Sequence, residues 1–224
     1  MILLILAAVL WLFIHLGVSG TRLRDAAVAR LGEGRYMLAY SIASAVSIVL
    51  LVLAWRNADT DYLWAAPDWL RWLLFLLMLP AFVLFMASHK RNPTAVGGKG
   101  LGEEPRGIQR ITRHPMLWSF AIWALVHVAG NGDSASLVFF GAFLITALAG
   151  MPSIDAKLAR RHGAAWRNFS ARTSILPFGA ILAGRNRLAL AEIGWMPPVV
   201  GLVLWLALGH FHRAIFGVPA VFLT

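Results

Sequence analysis

The sequence predicts an all-α fold, a polytopic membrane bundle of about six transmembrane helices, on three observations. Hydrophobic residues make up 59% of the 224 and charged residues only 13%, where a soluble domain carries about a quarter charged. The apolar residues come in blocks near the ~20 that a helix needs to cross a ~30 Å hydrocarbon core. Lys and Arg are gathered in the segments that join those blocks. Open strands would leave backbone groups unpaired in lipid, and period-2 alternation is absent, so each block reads as a helix. Disordered and ordinary soluble classes are excluded, and residues 1–224 read as one integral-membrane domain.

In chain order, the spans run Ile2 to Gly17, Tyr36 to Trp55, Trp69 to Ser88, Pro115 to Gly130, Ala135 to Gly150 and Trp195 to His212. The first is short and lacks a basic leading stretch, so it reads as a retained anchor and not a cleaved signal peptide. The last contains Pro197, Pro198 and Gly201, which blur its start. Between the third and fourth spans, His89 to His114 is rich in Gly (Gly97, Gly98, Gly100, Gly102, Gly107) with Pro93 and Pro105. No Gly-Lys-Ser/Thr follows, so this is a flexible loop and not a phosphate cradle. Ser153 to Arg172 sets Leu158, Trp166 and Phe169 among Arg and Lys, the composition of a cytoplasmic helix lying on a membrane surface.

All of the 20 Lys and Arg residues except Arg56, Arg71 and Arg213 then fall on one side, Arg91 among them. The positive-inside rule puts that side in the cytoplasm and both termini outside, as in a bacterial-type inner membrane. The net charge of +10 is thus topology, and nucleic acid is not an expected partner. Membrane lipids and a lipid-soluble small molecule are expected instead, and oligomeric state is not legible. With no Cys, disulfides, Cys-ligated metal, a thiolate nucleophile and thiolate-ligated haem are excluded.

Ionisable residues inside spans are costly and so mark functional candidates. His15 and His127 qualify, and each follows a tryptophan by four residues, Trp11 and Trp123, which puts ring and imidazole on one helix face. A neutral imidazole beside an apolar wall suits a bis-His haem pocket; it equally suits a polar tie to a neighbouring helix. His114, in Thr112-Arg113-His114-Pro115, sits where the loop enters the fourth span. It either initiates that helix or joins Arg113 in binding an anion such as a haem propionate. Thirteen residues separate His114 from His127, ~20 Å along one helix and ~140° around it, so one straight helix cannot offer both to one iron.

The run Gly107-Ile-Gln-Arg-Ile-Thr-Arg-His-Pro115, with Trp123 through His127, resembles the NnrU family and its plant relative, zeta-carotene isomerase. Asp155, Gly163, Arg172-Thr-Ser-Ile-Leu-Pro-Phe178, Ala180 to Leu182 and Gly184-Arg185 extend the likeness, as do His15, Gly32-Glu-Gly-Arg35 and Tyr40-Ser41. The resemblance implies haem b as the cofactor, with its iron ligated by His15 and His127. It implies catalysis of redox-dependent cis–trans isomerisation of a lipid-soluble polyene. His114, Arg113, Trp11 and Trp123 are then cofactor-binding candidates. Plant relatives carry Cys where this chain has Ala124. Arg113-His114-Pro115 with Asp155 is also similar to membrane methyltransferases of the isoprenylcysteine and phospholipid type, but Leu117 and Ser119 replace their Tyr and Gly. A haem-binding assembly or redox factor for denitrification enzymes is the third reading.

Overall fold

The computed structural model describes residues 1–90, 92–95 and 98–221; Arg91 and Gly97 of the glycine-rich loop lie outside the described residues. The described residues form helices and no strand, with one isolated bridge between Tyr62 and Asp133. Helix α1 (Ile2–Leu12) runs into a π-helical turn, Phe13–Val18, and the chain then bends by 77° into α2 (Arg22–Leu31). Thr21 caps α2 by accepting from the Leu23 N–H. The bend falls at Gly20, where a Cβ would lie 2.3 Å from Ser153 Oγ, so only glycine lets the turn approach that helix.

The remaining long helices are α3 (Glu33–Arg56), α4 (Asp68–Ala87), α6 (Pro115–Asn131), α7 (Ser134–Ala171) and α9 (Met196–Phe216). Short helices α5 (Ile108–Ile111) and α8 (Gly179–Leu182) shape the loops at the basic end. By length and composition α3, α4, α7 and α9 each suffice to cross a membrane, and the bent α1–α2 pair adds a fifth. The fourth expected span, α6, has 17 residues, ~26 Å of helix against a ~30 Å core. Six spans are therefore not shown. The expected interfacial helix is not shown: α7 runs on through Pro152 as far as Gly163, whose φ of 48° breaks it, and a second helical stretch follows to Ala171.

Packing contacts order the bundle as α9, α4, α6, α7, α1, α3. The centre is built on small residues, Ala7, Ala8, Ala124, Ala135 and Ala142, into which Leu4, Leu51, Phe139 and Phe140 fit. Small side chains let helix backbones close up in lipid, where apolar contact alone gives little preference for protein over tails. At the α4–α9 seam, a Cβ on Gly201 would meet Val83 at 2.9 Å, and Trp205 Nε1 donates to the Phe75 carbonyl at 2.7 Å. Gly132 ends α6 at φ 68°, its carbonyl accepting from Leu63 and Trp64, and Asp133 caps α7 by accepting from the Ser136 N–H.

Candidate functional site

Two polar constellations stand at opposite ends of the bundle. At the basic end, Pro115 opens α6 in the first-turn position that suits its missing N–H, and His114 is the residue before it. Asp155 on α7 accepts from Arg113 Nε at 3.0 Å and Nη2 at 2.5 Å, and from His114 Nε2 at 2.7 Å. The guanidinium also lies 5.9 Å from the Trp166 ring centroid, and Thr94 Oγ1 donates to the Arg113 carbonyl. His114 is 1% exposed, and burial holds its imidazole below the usual histidine range although Asp155 pulls the other way. It is thus neutral at pH 7, donating from Nε2, and its buried Nδ1 has no hydrogen-bond partner.

At the other end, a cavity of about 1230 Å³ opens among α3, α4, α6, α7 and α9. Trp55, Phe75, Trp123, Phe139, Phe140 and Trp205 give it aromatic walls, and Arg56 and Arg71 stand where α3 ends and α4 begins. This volume exceeds the ~300–1,000 Å³ typical of small-molecule sites. Two imidazoles line it. His127 Nδ1 bonds the Trp123 carbonyl at 2.7 Å, and His212 Nδ1 bonds the Val218 carbonyl at 2.7 Å. A carbonyl on Nδ1 fixes the proton there and turns the Nε2 lone pair outward, the arrangement in which histidine binds a metal.

The sequence pattern of NnrU proteins matches residues 3–220. The chain belongs to the NnrU family. It is 27% identical over 195 residues to "15-cis-zeta-carotene isomerase, chloroplastic" of Zea mays, covering 84% of this chain and 52% of the maize protein. The protein of the same name from Arabidopsis thaliana is 39% identical over 84 residues, 36% of this chain and 22% of that one. The chain thus spans about half the length, or less, of these curated relatives. No solved structure matches.

Within this NnrU chain the residues expected to act together are divided between the two ends. His15 lies in the π-helical turn near the basic end, with Nδ1 on the Trp11 carbonyl at 2.9 Å and Nε2 on Ser44 Oγ at 3.2 Å. Trp11 stacks on it at 3.7 Å and donates to Thr146. Ring contacts join His15 to His127 through Trp11 and Phe143, and from there through Trp123 or through Phe139 and Phe140. Neither His15 nor Trp11 is among the described residues lining the cavity, whereas Trp123 and His127 are. Arg113 and His114 do bind a carboxylate, but it is Asp155 of this chain, and they too are away from the cavity lining.

The cavity lining is of a kind that suits a flat aromatic cofactor such as haem b: His127 with Nδ1 tied back, aromatic walls, and Arg56 and Arg71 at one end. His212, Arg56 and Arg71 also line the cavity, where the sequence did not place them. Charge sorting had singled out Arg56 and Arg71 as two of three cations opposite the basic side, which was the available signal. His212 carried none, because a histidine at a span end is ordinarily solvated.

Proposed function

We propose that this NnrU protein is a haem b-dependent membrane isomerase that converts a cis double bond of a lipid-soluble polyene to trans. The carrying observation is the large aromatic cavity with His127 on its wall, in a chain similar over most of its length to a carotene isomerase. His127 would hold the iron through Nε2, with Nδ1 kept protonated by the Trp123 carbonyl. Bound haem would supply a reducible iron able to lend electron density to a polyene and so lower the barrier to rotation about its double bond. Trp55, Phe139 and Phe140 would pack the polyene chain and exclude water, while Trp123 beside His127 would fix the imidazole plane. The basic end would face the cytoplasm, placing the cavity toward the outer half of a bacterial-type inner membrane and both termini outside.

The methyltransferase reading needs Arg113, His114 and an acid to surround a cofactor. Those three side chains bind one another, and neither cavity described, of about 1230 and 180 Å³, is lined by any of them. The test is an absorption spectrum of full-length protein produced with haem available, followed by incubation with a cis-polyene under reducing conditions and chromatography of the isomers. A Soret band with conversion to trans is the expected result. A colourless protein that converts nothing refutes the proposal. A haem spectrum without conversion, with co-purification of a nitric-oxide or nitrite reductase, transfers the protein to the assembly-factor class.

A further inference from the structure

At the basic end, the first bend of the chain gathers ionisable residues that line neither cavity. Arg24 on α2 is 6% exposed, Tyr36 in the first turn of α3 is 5% exposed, and the guanidinium carbon lies 5.1 Å from the centre of the tyrosine ring. Glu33 accepts from Arg24 Nη2 at 2.5 Å. Arg24 Nη1 has no hydrogen-bond partner among the described residues, and neither has the Tyr36 hydroxyl. Asp25 Oδ1 is 3.8 Å from Nη1, close enough to pair in charge but beyond hydrogen-bond reach. A buried donor without an acceptor is costly, and each one in a folded protein asks for an explanation.

Helix α7 brings further positive charge to the same place. Ser153, Lys157 and Arg161 are spaced four apart on α7, before its break at Gly163, and so share one face. Ser153 donates to the Gly20 carbonyl at the bend, and Arg161 stands 3.6 Å from Asp25. Lys157, one turn from each, therefore faces α2 between those two contacts, alongside the stretch that holds Arg24. Arg24, Lys157 and Arg161 set three cations against the two carboxylates Asp25 and Glu33. The Glu33 side chain is exposed, which makes it a displaceable anion over Arg24.

An excess of cations with two donors lacking acceptors describes a seat for an anion that carries several oxygens. Its position in the fold indicates the source. Helix α2 leaves the first helix at 77°, so it runs close to the membrane plane when that helix crosses the bilayer. Leu23 and Leu31 on α2 are exposed beside Arg22 and Arg30, as in helices that lie at headgroup level. A phosphate at that depth is carried by lipid. We propose that Arg24, Tyr36 and Lys157 form a binding site for the phosphate of an anionic phospholipid, with Arg24 Nη1 and the Tyr36 hydroxyl as hydrogen-bond donors and Lys157 as a point charge.

Full-length protein is purified in a mild detergent and freed of lipid, and its thermal unfolding is followed by tryptophan fluorescence as phosphatidylglycerol, phosphatidylcholine or inorganic phosphate is added. A ligand that binds only the folded state raises the melting temperature with its concentration. Phosphatidylglycerol should do so saturably; phosphatidylcholine, whose choline cancels the charge, and inorganic phosphate should not. Tyr36→Phe and Lys157→Gln should each need about tenfold more phosphatidylglycerol for the same rise, the scale of one charged hydrogen bond. Without lipid, Tyr36→Phe should melt no lower than wild type, because the hydroxyl it removes has no partner among the described residues. That separates lost binding from a failed fold. Glu33→Gln, which removes the competing carboxylate, should tighten binding, and Arg30→Gln, exposed on the same helix, should leave it unchanged. An equal phosphatidylglycerol response in wild type, Tyr36→Phe and Lys157→Gln overturns the proposal. So does a loss in Arg30→Gln as large as in Lys157→Gln, which marks general charge attraction. Stabilisation by inorganic phosphate with the same residue dependence overturns lipid as the source and assigns the site to a soluble anion.

Discussion

Asp155 is the residue whose removal tests the structure most sharply. Its carboxylate receives four hydrogen bonds from two other side chains, Arg113 at 2.5, 3.0 and 3.2 Å and His114 at 2.7 Å. The Arg113 and Asp155 side chains are 12% and 15% exposed and that of His114 is fully covered. Breaking a buried ion pair by removing one partner costs about 3–5 kcal/mol, because the other charge stays desolvated. Residual exposure places Asp155→Ala at the low end, ~3 kcal/mol. Asp155→Asn keeps the shape and one acceptor and should cost ~2 kcal/mol, within the range of a lost charged hydrogen bond. Arg113→Ala should cost nearly as much as Asp155→Ala, and the double variant clearly less than the sum, since the two share one interaction. Unfolding in mixed micelles by SDS titration, followed by tryptophan fluorescence, measures this; Trp166 beside Arg113 reports locally. Asp155→Ala within ~0.5 kcal/mol of wild type, or strictly additive single variants, would show that the cluster is not formed.

Burial depresses the His114 pKa below its ordinary 6.5, so its neutral form is the folded one. Stability from this group is full above the unfolded value and is lost as pH falls through the folded one. Wild type should weaken on acidification below ~6.5 and His114→Gln should flatten that limb in the same SDS titration. Glu192 accepts from Arg110 Nε at 2.8 Å and from the Gly107 N–H, which hold its carboxyl at about 2 against an ordinary 4.5. The turn at Leu190–Ile193 should stay docked on α5 down to pH 4.5 and loosen only between 4.5 and about 2. Hydrogen exchange at 107–111 and 190–193 reads this, and Glu192→Gln should loosen it at neutral pH. Gly201→Val should part α4 from α9 at Val83 and cost ~1–3 kcal/mol by overpacking, seen as a lower melting temperature. Gly132→Ala should cost at least as much, since its Cβ would fall 1.9 Å from the Trp64 carbonyl oxygen at φ 68°.

Composition and block length were enough to give an all-helical membrane protein, because a chain that must satisfy its backbone in lipid has few alternatives. Pro115 as the opening residue of α6 was legible for a similarly local reason: its fixed φ and missing N–H fit only the first turn. The surface composition of residues 153–171 fits a helix on the membrane as well as it fits the continuation of α7 to the break at Gly163, so composition alone does not choose between them. His114 reads from sequence either as a helix start or, with Arg113, as a binder of an anion such as a haem propionate; in the structure both bind Asp155, 42 and 41 residues away, a pairing no local pattern carries.

The partition of the histidines belongs to tertiary structure alone. The sequence determined that His15 and His127 each sit one turn after a tryptophan inside an apolar block, since helical spacing follows directly from residue number. It could not determine that Trp11, Phe143 and Trp123 come to link them, or that Ser44 meets His15. Nor could it bring the end of α9 beside the end of α6 around one cavity. Depth along a span can be counted from sequence, but azimuth and neighbour depend on how five helices pack. That packing is decided by which small residues meet across each seam, a property of pairs of helices and not of any one of them.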